Sequence, residues 1–274
     1  SMYYNVSGTG NTAVGASAGG GICGGCYNTA IGVSTLQSSK YSCCNTAVGY
    51  AAMYTNTTGT ENTAMGYNSL YYNTDGTDNT AIGTLALHKN TATANTAVGS
   101  NALVCTTTGG CNVAMGNYAL RKNCAGSFNV GIGSLALCAN VSGCYNTAMG
   151  YSAARLHTTG CSNTSYGYQT LYSTTVGSEN VAIGMHSLYG NITASGNTAV
   201  GYATLKCNTT GDGNIGIGHC SLYTNLTGSY NTAVGCGALL VSNANNNTAV
   251  GHKALFDNSI GCQNVAVGRS ALEN

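Results

Sequence analysis

The chain has 274 residues, of which only 5% are charged, and its formal net charge is +1. Nothing in this balance indicates electrostatic recruitment to nucleic acid or to an anionic membrane surface. No apolar run approaches the ~20 residues that span a bilayer, so we expect neither nucleic acid binding nor membrane insertion.

A five-residue phrase, Asn-Thr-Ala-Val-Gly, recurs with small changes along the whole chain. Sixteen copies follow one another at a spacing of 17 residues, shortened twice to 16. A period of this length is typical of a solenoid, in which each repeat forms one coil. We number the columns of a coil from zero at its asparagine, so that column zero contains Asn11, Asn28, Asn45, Asn62, Asn79, Asn95, Asn112, Asn129, Asn146, Asn163, Asn180, Asn197, Asn214, Asn231, Asn247 and Asn264.

Each coil divides into three parts in chain order. Columns zero to four are short, β-branched and closed by an invariant glycine, which predicts a strand of about four residues. Columns five to ten carry a small residue and then leucine, typical of either a second strand or one helical turn. Columns eleven to sixteen, such as Asn56–Glu61, have turn chemistry throughout. The sequence therefore predicts an all-β fold, a single rod-shaped β-solenoid of sixteen 17-residue coils.

Both faces of the predicted strand look buried. Column one is Thr or an apolar β-branched residue, column three is Val, Ile or Met with one exception, and column two is only Ala, Gly or Ser. Side chains alternate along a strand, so either column two or columns one and three face the coil interior. Because a coil has one interior, the other face requires a second surface, and the simplest is another copy of the chain.

The invariant asparagine and glycine columns favour a structural role over a catalytic one. Amides stacked once per coil can hydrogen-bond along the axis and to the turn backbone. A glycine retained in every coil marks a positive φ or a close approach of neighbouring backbone.

The recurring phrase and the small residue and leucine that follow it resemble the repeats of two known groups of fibre proteins. Asn-Thr-Ala-Val-Gly followed by Ala-Leu resembles the β-roll head repeat of YadA-type trimeric autotransporter adhesins, and is similar to the Asn-Thr-Ala-Ile-Gly repeats of phage and giant-virus fibre proteins. The resemblance covers essentially the whole chain. It implies a left-handed solenoid in a surface fibre that assembles as a homotrimer and attaches to another molecule. We expect the partners to be further copies of the chain, in a homotrimer or filament, and a glycan or cell-surface receptor.

Cysteine usage and the chain ends suggest the setting. With 14 Cys and so little charge, we expect an oxidising location: outside a cell, at a cell surface or on a virion. The repeat runs to both termini, since Asn5-Val6-Ser7-Gly8 fits columns eleven to fourteen of a preceding coil. Solenoids need polar terminal caps, so we expect residues 1–274 to be one continuous, uncapped segment of a longer repeat protein or filament.

Cysteines at matching columns of neighbouring coils predict disulfides. One rung of a solenoid is about 4.8 Å, within the Cα separation of ~4.4–6.8 Å that a disulfide tolerates. This favours two pairs at column fifteen and one at columns six and five, namely Cys26–Cys43, Cys144–Cys161 and Cys220–Cys236. A zinc site built from Cys23, Cys26, Cys43 and Cys44 is the weaker interpretation, because the second half lacks a two-residue spacer.

Other chemistry-bearing residues are sparse. Glu61 and Asp78 stack at column sixteen and are a candidate for a weak divalent-cation site, against the ordinary interpretation as a solvated corner. Five histidines lie in four different columns, so no catalytic triad is indicated. We expect no other metal site, no cofactor and no enzymatic activity.

Two further columns are candidates for contacts outside the coil. Tyrosine recurs at columns five and nine, where outward stripes could stack on sugars or pack between subunits. Column eleven carries sequons that a secretory pathway could glycosylate, although Asn-Thr-Thr-Gly is also good turn sequence. The sequon asparagines are Asn5, Asn56, Asn140, Asn191, Asn208 and Asn225.

The leading functional hypothesis is a structural and adhesive fibre segment without catalysis. The alternative is an ice-binding solenoid that uses the threonines of column one, although five apolar replacements interrupt that column. The third hypothesis, a polysaccharide-active enzyme on a β-helix, would need a cluster of acidic or basic residues on one face, and the sequence shows none.

Overall fold

The computed structural model describes residues 4–273, which form sixteen strands and no helix. The chain divides into two compact units. The first comprises Ser1–Leu135 with Asn140–Ser142, and the second comprises Ala136–Ala139 with Gly143–Asn274. Each unit is a β-solenoid, so the predicted all-β solenoid class is confirmed. Its handedness, its rod shape and its continuity over residues 1–274 stay predictions.

Every strand has three residues and occupies columns one to three of its coil. In the first unit the strands are β1 Thr12–Val14, β2 Thr29–Ile31, β3 Thr46–Val48, β4 Thr63–Met65, β5 Thr80–Ile82, β6 Thr96–Val98, β7 Val113–Met115 and β8 Val130–Ile132. In the second unit they are β9 Thr147–Met149, β10 Thr164–Tyr166, β11 Val181–Ile183, β12 Thr198–Val200, β13 Ile215–Ile217, β14 Thr232–Val234, β15 Thr248–Val250 and β16 Val265–Val267.

Within each unit, consecutive strands pair in parallel and in register. Thr46 lies opposite Thr63, and Ala47 opposite Ala64. Every column therefore becomes a row of equivalent side chains along the unit. β-Branched residues at columns one and three suit this pleated arrangement, and the small residue between them leaves room in the interior.

Columns five to ten form neither a second strand nor a helical turn. Column six and column eight have positive φ, as at Ala51 (φ 50) and Met53 (φ 51). The Ala51 N–H donates to the Val33 carbonyl of the preceding coil at 2.9 Å, and the Met53 N–H donates to the Ser69 carbonyl of the following coil at 3.0 Å. A left-handed residue other than glycine costs about 1–2 kcal/mol. These bonds between coils, together with burial of column eight, offset that cost.

The interior of each coil is narrow and half polar. From the coil of Asn28 to the coil of Asn247, column two, column seven and the leucine of column eight are buried, and so are the asparagines of column zero. Columns one and three point outward, and Ile82 and Ile183 each expose 38% of their surface. The interpretation that both strand faces are buried is therefore wrong for a unit taken alone, since only column two enters the core.

The glycine of column four is required by close packing of successive coils. Gly49 has a φ of 129°, and a Cβ built on it would lie 2.7 Å from the Gly66 carbonyl oxygen of the next coil. No side chain fits at this distance, and the φ value is one that residues other than glycine rarely adopt.

Candidate binding surfaces

The asparagines of column zero form a hydrogen-bonded ladder inside each unit. The Asn45 Oδ1 accepts from the Asn62 backbone N–H at 3.0 Å and from the Asn62 Nδ2 at 3.2 Å. The Asn45 Nδ2 donates to the Gly59 carbonyl at 2.9 Å. The asparagines from Asn28 to Asn247 are buried, and of their amide nitrogens among the described residues only the Asn247 Nδ2 lacks a partner. The ladder therefore serves to hold neighbouring coils together.

A second asparagine ladder, in addition to the one predicted at column zero, runs along column eleven. The Asn73 Nδ2 donates to the Asn56 Oδ1 and to the Gly76 carbonyl, both at 2.9 Å. A signal was present in the sequence. Asn73, Asn90 and Asn123 keep the asparagine at column eleven although none of them belongs to a sequon.

This second ladder contradicts the glycosylation hypothesis for most of its members. A glycan is attached through Nδ2, which in this column points inward and donates to the turn backbone, as it does from Asn56 to the Gly59 carbonyl at 2.9 Å. The folded coil has no room for a sugar on that nitrogen. Asn5 is exposed, whereas five sequon asparagines are fully buried, namely Asn56, Asn140, Asn191, Asn208 and Asn225.

His157 replaces asparagine in the second ladder. It is 1% exposed, and its Nε2 lies 2.7 Å from the Gly160 carbonyl oxygen. Burial lowers the pKa of His157, and the hydrogen bond to Gly160 only partly opposes this effect. A neutral imidazole that donates from Nε2 therefore takes over the role of the asparagine amide.

Two of the predicted cysteine pairs share one geometry. The Cys26 backbone N–H donates to the Cys43 Sγ at 3.2 Å, and the Cys144 backbone N–H donates to the Cys161 Sγ at the same distance. Hydrogen bonds from the Thr9 hydroxyl and backbone N–H lower the pKa of the Cys26 thiol. The structure brings both pairs together, and the disulfides stay predictions.

The third predicted pair lies in the second unit. Burial raises the pKa of the Cys220 thiol, and the nearby Cys236 raises it further. A high pKa leaves less thiolate at neutral pH, so Cys220 is a slower nucleophile than an ordinary cysteine. The Cys220–Cys236 disulfide also stays a prediction.

In the part of the chain that the structure describes, the acidic pair has no third ligand for a metal ion. Glu61 and Asp78 occupy equivalent exposed positions of successive coils, and the Thr77 hydroxyl donates to the Asp78 Oδ2 at 3.1 Å. Among residues 4–273, no three His, Cys, Asp or Glu side chains are grouped so that they could hold a metal ion. Cys23, Cys26, Cys43 and Cys44 therefore do not form the zinc site that their spacing offered as an interpretation. No helix in that same part of the chain could cross a bilayer.

Tyrosines form two ladders on the surface of each unit. In the first unit Tyr50 stacks on Tyr67 with ring centroids 5.4 Å apart, and Tyr54 stacks on Tyr71 at 5.0 Å. An open pocket of ≈ 430 Å³ lies between the two stacks. The sequence predicted the two stripes, but only the structure shows that a pocket separates them.

The corresponding space in the second unit is occupied. Tyr172 stacks on Tyr189 at 5.1 Å, but the His186 ring of column six lies between the ladders. Its centroid is 5.7 Å from that of Tyr168 and 5.3 Å from that of Tyr189. Burial lowers the pKa of His186, with a smaller contribution from Lys206, so the neutral ring packs as an aromatic side chain.

No protein-family model, no curated protein and no solved structure matches this chain. The geometry of its own surfaces therefore carries the functional argument.

Proposed function

We propose that this chain is a non-catalytic segment of a structural and adhesive fibre, located outside the cell, at a cell surface or on a virion. It associates with further copies of itself as a homotrimer or filament and attaches to a glycan or receptor. The resemblance to fibre repeats agrees with this proposal, and the scarcity of charged residues, 5% of the chain, supports a role without catalysis.

The outward strand face is the observation that carries the proposal. In each unit, column three presents one large side chain per coil at a spacing of about 4.8 Å. Ile82, Ile183 and Ile217 are 38%, 38% and 42% exposed. Monomeric proteins rarely expose contiguous apolar patches larger than a few hundred Å². A stripe that continues along a whole unit therefore requires a covering surface.

A second copy of the chain fits that requirement better than an unrelated partner. The stripe repeats at the rung spacing of the solenoid, so a partner that matches it over its length must repeat at the same spacing. Another coil stack of this chain does so without further adaptation. Interfaces between identical copies are also more apolar than transient protein–protein contacts, and the outward strand face has this apolar character.

The test compares two isoleucines of the same coil. Ile183→Asp places a charge on the outward strand face, and Ile192→Asp places it on the turn at column twelve, where Ile192 is 43% exposed. Both charges stay hydrated in the separate chain, so both variants should fold. We expect light scattering to show an oligomer for the wild type and for Ile192→Asp, and a reduced molar mass for Ile183→Asp, because association would bury its unpaired charge.

A wild-type chain that remains monomeric at high concentration would contradict self-association. Equal molar masses for the oligomeric wild type and Ile183→Asp would contradict the assignment of the interface to the strand face.

One observation favours ice binding as a second candidate. Six consecutive threonines of the first unit lie in register on the same outward face, at Thr12, Thr29, Thr46, Thr63, Thr80 and Thr96. Thermal hysteresis of the purified chain, lost in Thr63→Tyr, would support this candidate. An absence of hysteresis at high protein concentration would remove it.

A further inference from the structure

The pocket of the first unit is a groove between two tyrosine stacks, and we call it the tyrosine groove. Its floor consists of three column-six residues from successive coils, Ser34, Ala51 and Asn68. The floor therefore spans about 10 Å, two rungs of ~4.8 Å. Tyr72 and His88 line the groove as well, and Tyr72 meets the His88 ring at a centroid distance of 5.1 Å.

The two walls are the tyrosine stacks of columns five and nine. The ring planes of Tyr54 and Tyr71 differ by 2°, and those of Tyr50 and Tyr67 by 12°. All four tyrosines line the groove, which has a volume typical of small-molecule sites.

We propose that the tyrosine groove binds a neutral glycan, as a short run of pyranose residues. This inference deepens the attachment part of the proposed function and rests on it. Three properties of the groove select this ligand class.

The first property is the absence of formal charge. The residues that line the groove are Ser, Ala, Asn, His and five Tyr, with no Lys, Arg, Asp or Glu among them. The His88 ring is hydrogen-bonded within the chain, because its Nδ1 lies 3.1 Å from the Asn68 backbone oxygen. An anionic ligand such as a phosphate or a sulfated sugar would find no cation here, so the groove favours an uncharged ligand.

The second property is that the aromatic stacks are already closed. Ring centroids 5.0 and 5.4 Å apart leave no slot into which a planar base or another aromatic ring could insert. A ligand must instead meet ring edges and hydroxyl groups. The ring edges carry partly positive hydrogens, so the oxygen atoms of a pyranose complement them, and its hydroxyl groups can hydrogen-bond to the phenol hydroxyls.

The third property is a concentration of hydroxyl groups with an unpaired acceptor beneath them. Burial and the neighbouring phenols of Tyr54 and Tyr72 raise the pKa of Tyr71, so this hydroxyl stays protonated and can both donate and accept. The Asn68 Oδ1 is buried in the floor and has no hydrogen-bond partner among the residues that the structure describes. A small rotation of the Asn68 amide would present it to a ligand hydroxyl, which would satisfy it.

Binding is tested on the whole chain by saturation-transfer difference NMR. The probes are neutral tetrasaccharides of glucose, of galactose and of N-acetylglucosamine, with a uronic acid tetrasaccharide for comparison. We expect transfer to at least one neutral probe. The double variant Tyr54→Phe/Tyr71→Phe keeps both rings and removes two hydroxyls, so it should fold and bind that probe at least about tenfold more weakly.

The matched control removes the same two hydroxyls in the second unit. Tyr172→Phe/Tyr189→Phe alters an equivalent stack where His186 fills the space between the ladders, so it should leave binding unchanged. The proposal is overturned if no neutral probe receives saturation at millimolar concentration, if the uronic acid probe binds more tightly than the neutral ones, or if both double variants lose affinity equally. A lower molar mass of Tyr54→Phe/Tyr71→Phe, without glycan binding by the wild type, would assign the groove to a second copy of the chain and also overturn the proposal.

The experiments distinguish a failure of self-association from a failure of glycan binding. A monomeric wild type that binds a neutral probe through the groove would remove the assembly part of the proposed function and leave this inference standing. An oligomeric chain that binds no probe would overturn this inference and leave the assembly part of the proposed function standing.

Discussion

Replacement of one ladder asparagine should destabilise the chain far more than an ordinary surface change. In Asn180→Ala the side chain loses four hydrogen bonds. Its Nδ2 donates to the Asn163 Oδ1 at 3.1 Å and to the Ala194 carbonyl at 2.9 Å. Its Oδ1 accepts from the Asn197 backbone N–H at 3.0 Å and from the Asn197 Nδ2 at 3.2 Å.

The remaining partners decide the magnitude. The Ala194 carbonyl keeps a bond from the Asn191 Nδ2, and the Asn163 Oδ1 keeps the Asn180 backbone N–H. The Asn197 N–H is left buried without a partner, which costs about 1–3 kcal/mol, and each of the other three lost bonds contributes about 0.5–1.5 kcal/mol. We therefore expect the free energy of unfolding to fall by about 2.5–7.5 kcal/mol.

Urea denaturation followed by circular dichroism measures this loss, and hydrogen exchange at the Asn197 amide locates it. The control is Asn117→Ala, which removes one exposed bond, from the Asn117 Nδ2 to the Ser100 carbonyl at 3.3 Å. It should change stability by no more than about 0.5 kcal/mol. If Asn180→Ala is as mild as this control, the ladder is incidental and the structural role of column zero is refuted.

Three further outcomes follow from the same structure. Burial lowers the pKa of His157, so the unfolded chain takes up a proton that the folded chain resists. Stability should therefore fall as pH drops below about 6.5, and His157→Asn should flatten that part of the urea-midpoint profile. Protein kept oxidised should show a Cys26–Cys43 link in non-reducing peptide maps. After reduction, the lowered pKa of Cys26 should make it react with iodoacetamide faster than it does in Thr9→Val. Ala182 is fully buried, so Ala182→Leu should cost about 1–3 kcal/mol in urea denaturation through overpacking, whereas wild-type stability in this variant would contradict the inward orientation of column two.

Much of the fold follows from the repeat alone. A constant period places each column in a row, and rows of Thr-Ala-Val between Asn and Gly favour parallel strands in register. The asparagine ladder was predictable for the same reason, since a polar residue retained at one place in every coil must find partners in its neighbours. The paired cysteines of column fifteen were predictable from the rung spacing.

Columns five to ten were decided by the tertiary structure. Their leucines and small residues are compatible with a strand or a helical turn, because local propensity says little about residues with positive φ such as Leu70 (φ 47). That conformation is stabilised by hydrogen bonds to the coils on either side, and a single coil does not contain those bonds. The second ladder was hidden in the same way, since Asn-Thr-Thr-Gly is ordinary turn sequence until stacking turns its amides inward.

The direction of each strand face and the tyrosine groove also required three dimensions. Alternation shows that columns one and three share a face, but either phase fits the residue types, and only closure of the coil around Ala and Leu assigns Ala182 to the interior. Likewise, both units carry tyrosine at columns five and nine. The floor residue decides whether the space between them stays open, as above Asn68, or is filled by a ring, as at His186. Composition and period thus determined the solenoid fold. The tertiary structure decided which side chains face outward and whether the space between two columns is open, because both depend on how neighbouring side chains pack.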